Sequence, residues 1–327
     1  LPIRIFQVVP GGLPVDAKFS NSKSLTLSQE KTAVKHPHVL GLGEVFSWTK
    51  VTLRESKTMK SISSMLECDC IINGHTAGAS DKKLNAYVSS GILSCHEPIN
   101  FDQVLERLRL GMWIMIREGS IRRDLNEIIP RVLSHGTYLN RLMFCSDGLD
   151  PLDITKFGHI DHCIRESIRH GLKPIDAITI ASKNNFDYYN MGKDLGGIAP
   201  GKLADILIFD DLKSFKPTKV FVGGKLVISN GRFVIPIKKK PIPSWIKKTV
   251  KLKNFSKNDF LIKSKKKNVL ANTIFMQSEI ITKIGSSELQ SIDGNVSASL
   301  NSDVWKVAAF DRIHGTNRHS IGFLENF

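Results

Sequence analysis

Six side chains able to hold a metal ion or move a proton stand at or near the ends of short apolar runs. They are Glu44 in 39–44, His75 in 70–75, His96 and Glu97 in 91–97, Glu118 in 113–119 and Asp147 in 142–147. Imidazole and carboxylate together suit divalent ions. The nitrogen donors favour zinc, iron, manganese or nickel, and a carboxylate can bridge two ions. A bound ion lowers the pKa of its water and supplies hydroxide at neutral pH. An acid such as Asp147 can then take the proton and pass it on. One histidine at the end of a strand is ordinary surface. Strand ends that carry Glu, His, His and Asp in order form a pattern, provided the strands run parallel and end on one side.

The elements meet that condition. Each run, together with 3–9, has the length of a buried parallel strand. Between them lie helical patterns at 81–90, 101–110, 160–169 and 174–188, with Asn100 placed as an N-cap and Gly111 as a stop. Repeated strand–helix alternation predicts an α/β fold with a parallel sheet. Six such strands with polar ends predict a partial TIM-type (β/α)8 barrel lacking its first two strands, whose C-terminal face would hold the site. After Gly201 the texture changes to short strands with turn signals at Gly223-Gly224 and Asn230-Gly231. The expected organisation is a barrel portion over 1–200, a small β unit over 201–236, a Lys-rich linker over 237–267 and a C-terminal α+β domain over 268–327. The chain opens at Leu1 directly in an apolar stretch and stops at Phe327 just after another, so both ends read as cut through structure.

Composition narrows the class. The 327 residues are 41% hydrophobic and 24% charged, as in globular proteins, and no apolar run reaches the ~18–20 residues of a membrane helix. Five cysteines, an odd and small number, point to a reducing, cytoplasmic compartment. The net charge of +15 invites a nucleic-acid reading, but its distribution argues against one. Twelve lysines and one acid fall between Lys238 and Lys267, which leaves only +4 for the rest. Pro236, Pro241 and Pro243 mark the start of that stretch, and it holds no arginine, the usual reader of bases. It reads as a solvated linker. Cys68 and Cys70 are one residue short of a metal or redox spacing and read as core thiols. His36 and His38 precede a strand, at the wrong end of a barrel for catalysis, and read as surface.

The motifs taken together resemble the adenine deaminase family of the metal-dependent amidohydrolase superfamily. The resemblance lies in VLGLGE at 39–44, NGHTAG at 73–78, LNAY at 84–87, His96-Glu97, GMWIMIREGS at 111–120, FCSD at 144–147, GHIDH at 158–162, GIAPGKLAD at 197–205 and HGTNR at 314–318. It implies a binuclear site of manganese, iron or zinc in the parent enzyme. Glu44 would bridge two ions, His75 and His96 would bind one, and Asp147 would bind the other and handle the proton. Glu97, Arg117 and Glu118 would contact the purine or relay protons. The implied reaction is hydrolysis of the 6-amino group of adenine to hypoxanthine and ammonia, a purine-salvage step on a small-molecule substrate. The implied context is cytoplasmic, with no membrane partner, and a homo-oligomer is compatible with it.

The chain departs from the family pattern at Ser94-Cys95-His96, where Ser-Asp-His is commoner, and at Gly148, where a second acid is usual. The His-x-His of the first barrel strand is absent from it. Two further readings stand beside the deaminase. One is an amidohydrolase acting on another cyclic amide or amine. The other is an inactive truncated derivative whose basic stretch binds polyanions.

Overall fold

The computed structural model describes residues 2–12, 24–238, 240–252, 254–277, 281–298 and 303–327. The chain divides into two compact units, 1–238 and 239–327.

In the first unit, strands alternate with helices along the chain. Strand β1 (Gln7–Pro10) is followed by α1 (Leu27–Ala33), β2 (Val39–Val45), α2 (Trp48–Thr52), α3 (Ser56–Leu66) and β3 (Ile71–Gly74). Then come α4 (Asp81–Val88), β4 (Ser94–Cys95), α5 (Phe101–Arg109), β5 (Trp113–Arg117), α6 (Leu125–His135) and β6 (Leu142–Cys145). Strands β1–β2–β3 pair in parallel, and so do β4–β5–β6. The Ser94 hydroxyl spans the step between the two sheets, accepting the Gly74 amide at 3.2 Å. Helices α7 (Pro151–Phe157), α8 (Ile160–Arg169), α9 (Pro174–Ala181) and α10 (Lys183–Tyr188) follow. An antiparallel sheet of β7 (Ile206–Phe209), β8 (Pro217–Val222), β9 (Lys225–Ser229) and β10 (Arg232–Phe233) completes the unit.

Apolar burial explains the layers. Ile114 and Ile116 of β5 and Leu142 and Phe144 of β6 pack against Val104 of α5 and Ile128, Ile129 and Val132 of α6. A second cluster joins Leu42 and Val45 of β2 and Ile72 of β3 to Ile62 and Met65 of α3. Trp48 packs against both. Asn100 caps α5, its side chain accepting the Gln103 amide at 3.0 Å. The β8–β9 hairpin turns at Gly223 and Gly224, both at positive φ, as a two-residue primed turn requires.

Three local expectations are corrected. The strand predicted over 91–97 reduces to Ser94–Cys95, because Gly91 turns out of helix α4 at positive φ and Leu93 is largely exposed. The helix predicted over 174–188 breaks at Ser182, whose φ of −129° and ψ of −75° leave the helical region. The break lets Asn184 donate to the carbonyls of Leu139 and Leu142 at 2.8 and 2.7 Å. Cys68 is exposed rather than core, since α3 ends two residues before it. His36 and His38 are exposed.

The second unit is a five-stranded sheet in the order β13-β12-β11-β15-β14, built from β11 (Asn268–Met276), β12 (Thr282–Ile292), β13 (Asn295–Ser297), β14 (Val304–Phe310) and β15 (His319–Glu325). Its small core holds Leu289, Val296, Val304 and Phe323. The Lys-rich residues leading into it form two short 3-10 turns, Ser244–Lys248 and Lys257–Phe260. Among the described residues no helix is long and apolar enough to cross a membrane.

One buried cation fixes the loop that leaves β3. Arg107 of α5 is 1% exposed and donates to the Thr76 hydroxyl (2.9 Å), the Thr76 carbonyl (2.8 Å) and the Ala79 carbonyl (3.1 Å). Replacing it by Leu leaves buried acceptors without a donor. Arg107→Leu is therefore expected to destabilise the first unit by about 2–4 kcal/mol in denaturant titrations.

Candidate metal centre

The ends of β2, β3, β4 and β6 converge. Glu44 is the penultimate residue of β2, His75 directly follows β3, His96 directly follows β4, and Asp147 lies two residues beyond β6. Close approach is possible because residue 74 has no side chain. A Cβ there would lie 2.5 Å from the Ser94 carbonyl oxygen and 2.6 Å from Ile92 Cγ2. Tyr87 fixes the backbone on either side of the site. Its hydroxyl accepts the His75 amide and donates to the Val45 carbonyl, both at 3.0 Å.

Two overlapping groups result. In the first, Glu44 Oε1 lies 2.6 Å from His75 Nδ1 and 3.1 Å from His96 Nε2. In the second, His96 Nε2 lies 3.1 Å from Glu97 Oε1, and Asp147 completes the group. The donor atoms within each group lie within 4.8 Å of one another.

The electrostatics are those of a site short of positive charge. Burial opposes a charge on His96, but hydrogen bonds to Glu44 and Glu97 outweigh it and push its pKa up to about 10. Burial also opposes ionisation of Glu44, yet the two imidazoles hold it down at about 2. The carboxylates thus favour a cation at the imidazole lone pairs, and a divalent ion competes for the same position. Two nitrogens and a carboxylate oxygen are the donor set of zinc, iron or manganese sites. On this chemistry the first group fits a divalent ion.

The second group already contains a cation. Arg117, at the end of β5, donates from Nη1 to Glu97 Oε1 at 2.7 Å and makes a short bond to Asp147 Oδ2. Arg122 donates to Glu97 Oε2 at 3.1 Å and to Asp124 Oδ2 at 2.7 Å. Asp124 precedes α6; burial lifts its carboxyl to about 6, although Arg117 pulls the other way. Asp147 has φ +42°, a left-handed conformation unusual for a residue other than glycine. Its side chain is half exposed, so it faces both Arg117 and the open mouth.

The structure therefore brings together Glu44, His75, His96, Glu97, Arg117 and Asp147. Glu118 stands apart: its Oε1 lies 3.6 Å from His162 Nε2, while its Oε2 is buried with no hydrogen-bond partner. Sequence reasoning missed Arg122, Asp124 and Tyr87. The one available signal was the Arg122-Arg123-Asp124 run before an apolar helix, where charge would ordinarily be solvated.

Residues 34–227 match the amidohydrolase family. Over all 327 residues the sequence is 58% identical to an adenine deaminase of Cenarchaeum symbiosum (strain A), spanning 54% of that protein. It is 33% identical to an adenine deaminase of Kosmotoga olearia over 99% of this chain and 56% of that protein. The chain thus spans about half the length of the curated relatives it matches. Among solved structures, a beta-aspartyl dipeptidase from Fervidobacterium islandicum AW-1, in complex with a beta-Asp-Leu dipeptide, aligns with a TM-score of 0.50 at 17% identity, covering 72% of this chain and 67% of that one. At that identity the likeness concerns the fold, which is of the TIM-barrel amidohydrolase type. The family match runs over more than half of the chain and through strands β2 to β6, which surround the imidazole–carboxylate cluster: this chain belongs to the amidohydrolase family.

Proposed function

We propose that the chain is the catalytic part of an adenine deaminase, which hydrolyses the 6-amino group of adenine to give hypoxanthine and ammonia. The observation that carries this reading is the convergence of Glu44, His75, His96 and Asp147 in a chain 58% identical to an adenine deaminase. In this reading the arc β1–β6 supplies strands 3–8 of the barrel, 201–236 the small β unit, 237–267 a linker and 268–327 part of a C-terminal domain.

Each residue has a task. Glu44, His75 and His96 would hold a manganese, iron or zinc ion, whose bound water would supply hydroxide at neutral pH. Asp147 would be a ligand of a second ion, with Glu44 shared between the two. Asp147 also moves the proton. Its exposed face meets the substrate side, and its contact with Arg117 orients it. The amine leaves only if it is protonated, so the proton accepted at the Asp147 carboxylate is passed to it. Glu97 is braced by two guanidiniums and orients His96. Arg117 and Glu97 line the purine side. Glu118 has a proton-relay role, set back behind that line.

The test measures hypoxanthine release from adenine, on this chain and on the protein at the length of its relatives. His75→Ala, His96→Ala and Asp147→Ala should each lower turnover by more than the roughly 10–100-fold typical of residues that only support a ligand. Chelation should abolish turnover, and manganese or zinc should restore it. Normal turnover in any of the three variants overturns the site. Release of product from a different ring amide, with adenine untouched, overturns the substrate.

Glu118 gives a prediction independent of any ion. Burial raises its pKa from 4.5 to about 7, although Arg123 and the Leu125 amide pull it down. Below the lower value both folded and unfolded chains are protonated. Between the two values only the unfolded chain ionises, so stability falls as pH rises through that window and levels off above it. Glu118→Gln removes the penalty. It is expected to match the wild type in thermal melts near pH 4 and to exceed it by about 1–3 kcal/mol at pH 8.

A further inference from the structure

The two histidines of the cluster come from different sheets. Glu44 and His75 belong to β2 and the end of β3, which pair with each other, whereas His96 follows β4 of the second sheet. Among the described residues no ladder joins β3 to β4, so side chains must set the spacing across this seam. Asn73 and Ser94 each stand two residues before a histidine, and along an extended strand each shares its histidine's face. The Tyr188 hydroxyl joins them, 2.9 Å from Asn73 Oδ1 and 2.8 Å from Ser94 Oγ. An amide oxygen only accepts, and a hydroxyl carries one proton. The Gly74 amide therefore donates to Ser94, Ser94 to Tyr188, and Tyr188 to Asn73. Tyr189 adds a longer bond to Asn73 Oδ1 at 3.3 Å. The clamp is itself anchored. Tyr188 is 5% exposed, and its ring centre lies 5.6 Å from that of Trp113 on β5. At the other end of α10, Asn184 holds the Leu139 and Leu142 carbonyls. On the opposite face of the strands the seam is crossed separately, where Thr76 Oγ1 meets Cys95 Sγ at 2.8 Å and Arg107 holds Thr76.

We propose that Tyr188 is a positioning residue for the ion-binding pair: its hydroxyl sets the separation of His75 and His96 by clamping Asn73 and Ser94 beneath them. The inference rests on the metal reading of the site above. Tyr188 acts through these two residues and not on the imidazoles themselves. Metal–ligand distances hold to within about 0.2 Å, so a seam without a ladder must be closed firmly on the face that carries the ligands. Hydrogen bonds that run one way along a buried chain polarise and strengthen one another, which suits this chain to the task. A phenylalanine at 188 would keep the ring against Trp113 and lose only the link.

Cobalt(II) reads the pair without a turnover assay, because its visible absorption follows the ligands and their geometry. Chelator-stripped protein, at the length of its relatives, is titrated with cobalt(II) against a competing chelator. The absorption band that His75→Ala abolishes marks the ion in question. In Tyr188→Phe that band should shift and its midpoint should rise about tenfold, the loss typical of partners that orient ligands. Ser94→Ala breaks the same chain from the β4 side and should act alike, and it serves the purpose if Tyr188→Phe does not fold. The double variant should weaken binding no further than the stronger single one, since both cut one chain. A folded Tyr188→Phe with the wild-type band and midpoint overturns the inference, even if it melts at a lower temperature, for the hydroxyl would then only stabilise the fold. Additive losses in the double variant overturn it too. Failure of the metal reading looks different: His75→Ala would then leave the cobalt titration unchanged, and both readings would fall together.

Discussion

The Glu97 carboxylate lies beneath the protein surface, 4% exposed, and an unpaired charge at such depth costs several kcal/mol. Much of the site is arranged around that constraint. Arg117 and Arg122 each donate to it from the β5 side, and His96 meets it from the β4 side. Burying two guanidiniums then requires further anions. Asp124 answers Arg122 at the start of α6, and Asp147 answers Arg117 from beyond β6. The alternation of charge ties β4, β5, β6 and the start of α6 into one rigid corner. Removing any one member leaves a buried charge uncompensated, which typically costs about 3–5 kcal/mol. The same rigidity holds the Asp147 carboxylate in place, as the proposed proton transfer would need.

The Glu44 half is arranged differently. It is a triangle of one carboxylate and two imidazoles with no guanidinium among its contacts, and its side chains are 14–30% exposed. Its backbone is held by Tyr87 between two segments, by Ser94 across the step between sheets, and by the Arg107 guanidinium, which bonds the Thr76 loop rather than the cluster. Only the two imidazoles answer Glu44, and the same ring nitrogens are the ones that a divalent ion would need. One half of the cluster is therefore balanced from within and the other from outside.

The strand ends were legible because parallel strands put polar residues at one edge of apolar runs. Glu44, His75, His96 and Asp147 could be picked out in that way, and the structure brings them together. Arg122 and Asp124 were not legible. They sit in a short loop after β5, where sequence offers no period, and their burial follows from Glu97 being buried. Glu118 looked equivalent to Glu97 because both follow a strand, but one residue of offset sends neighbouring side chains to opposite sides. Arg117 faces the cluster and Glu118 faces His162. Helix α6 was hidden by Pro130 inside it, and α3 by its polar serines. The broken pair α9–α10 shows a different limit. The apolar spacing favours one helix, and the Asn184 contacts with the loop before β6 and its first residue impose two.

The backbone at Asp147 joins these lines of argument. A non-glycine residue at φ +42° carries a conformational cost of about 1–3 kcal/mol, and it persists only where the surroundings hold it. Continuing β6 in extended geometry would keep its side chains alternating between the two faces of the sheet. The left-handed turn, continued by Gly148 at φ +70°, instead folds the carboxylate back over the β5 end. The bond to Arg117 secures it there, and the half-exposed face remains open to the mouth. The strained residue is thus the one that must meet both the buried network and whatever enters from solvent.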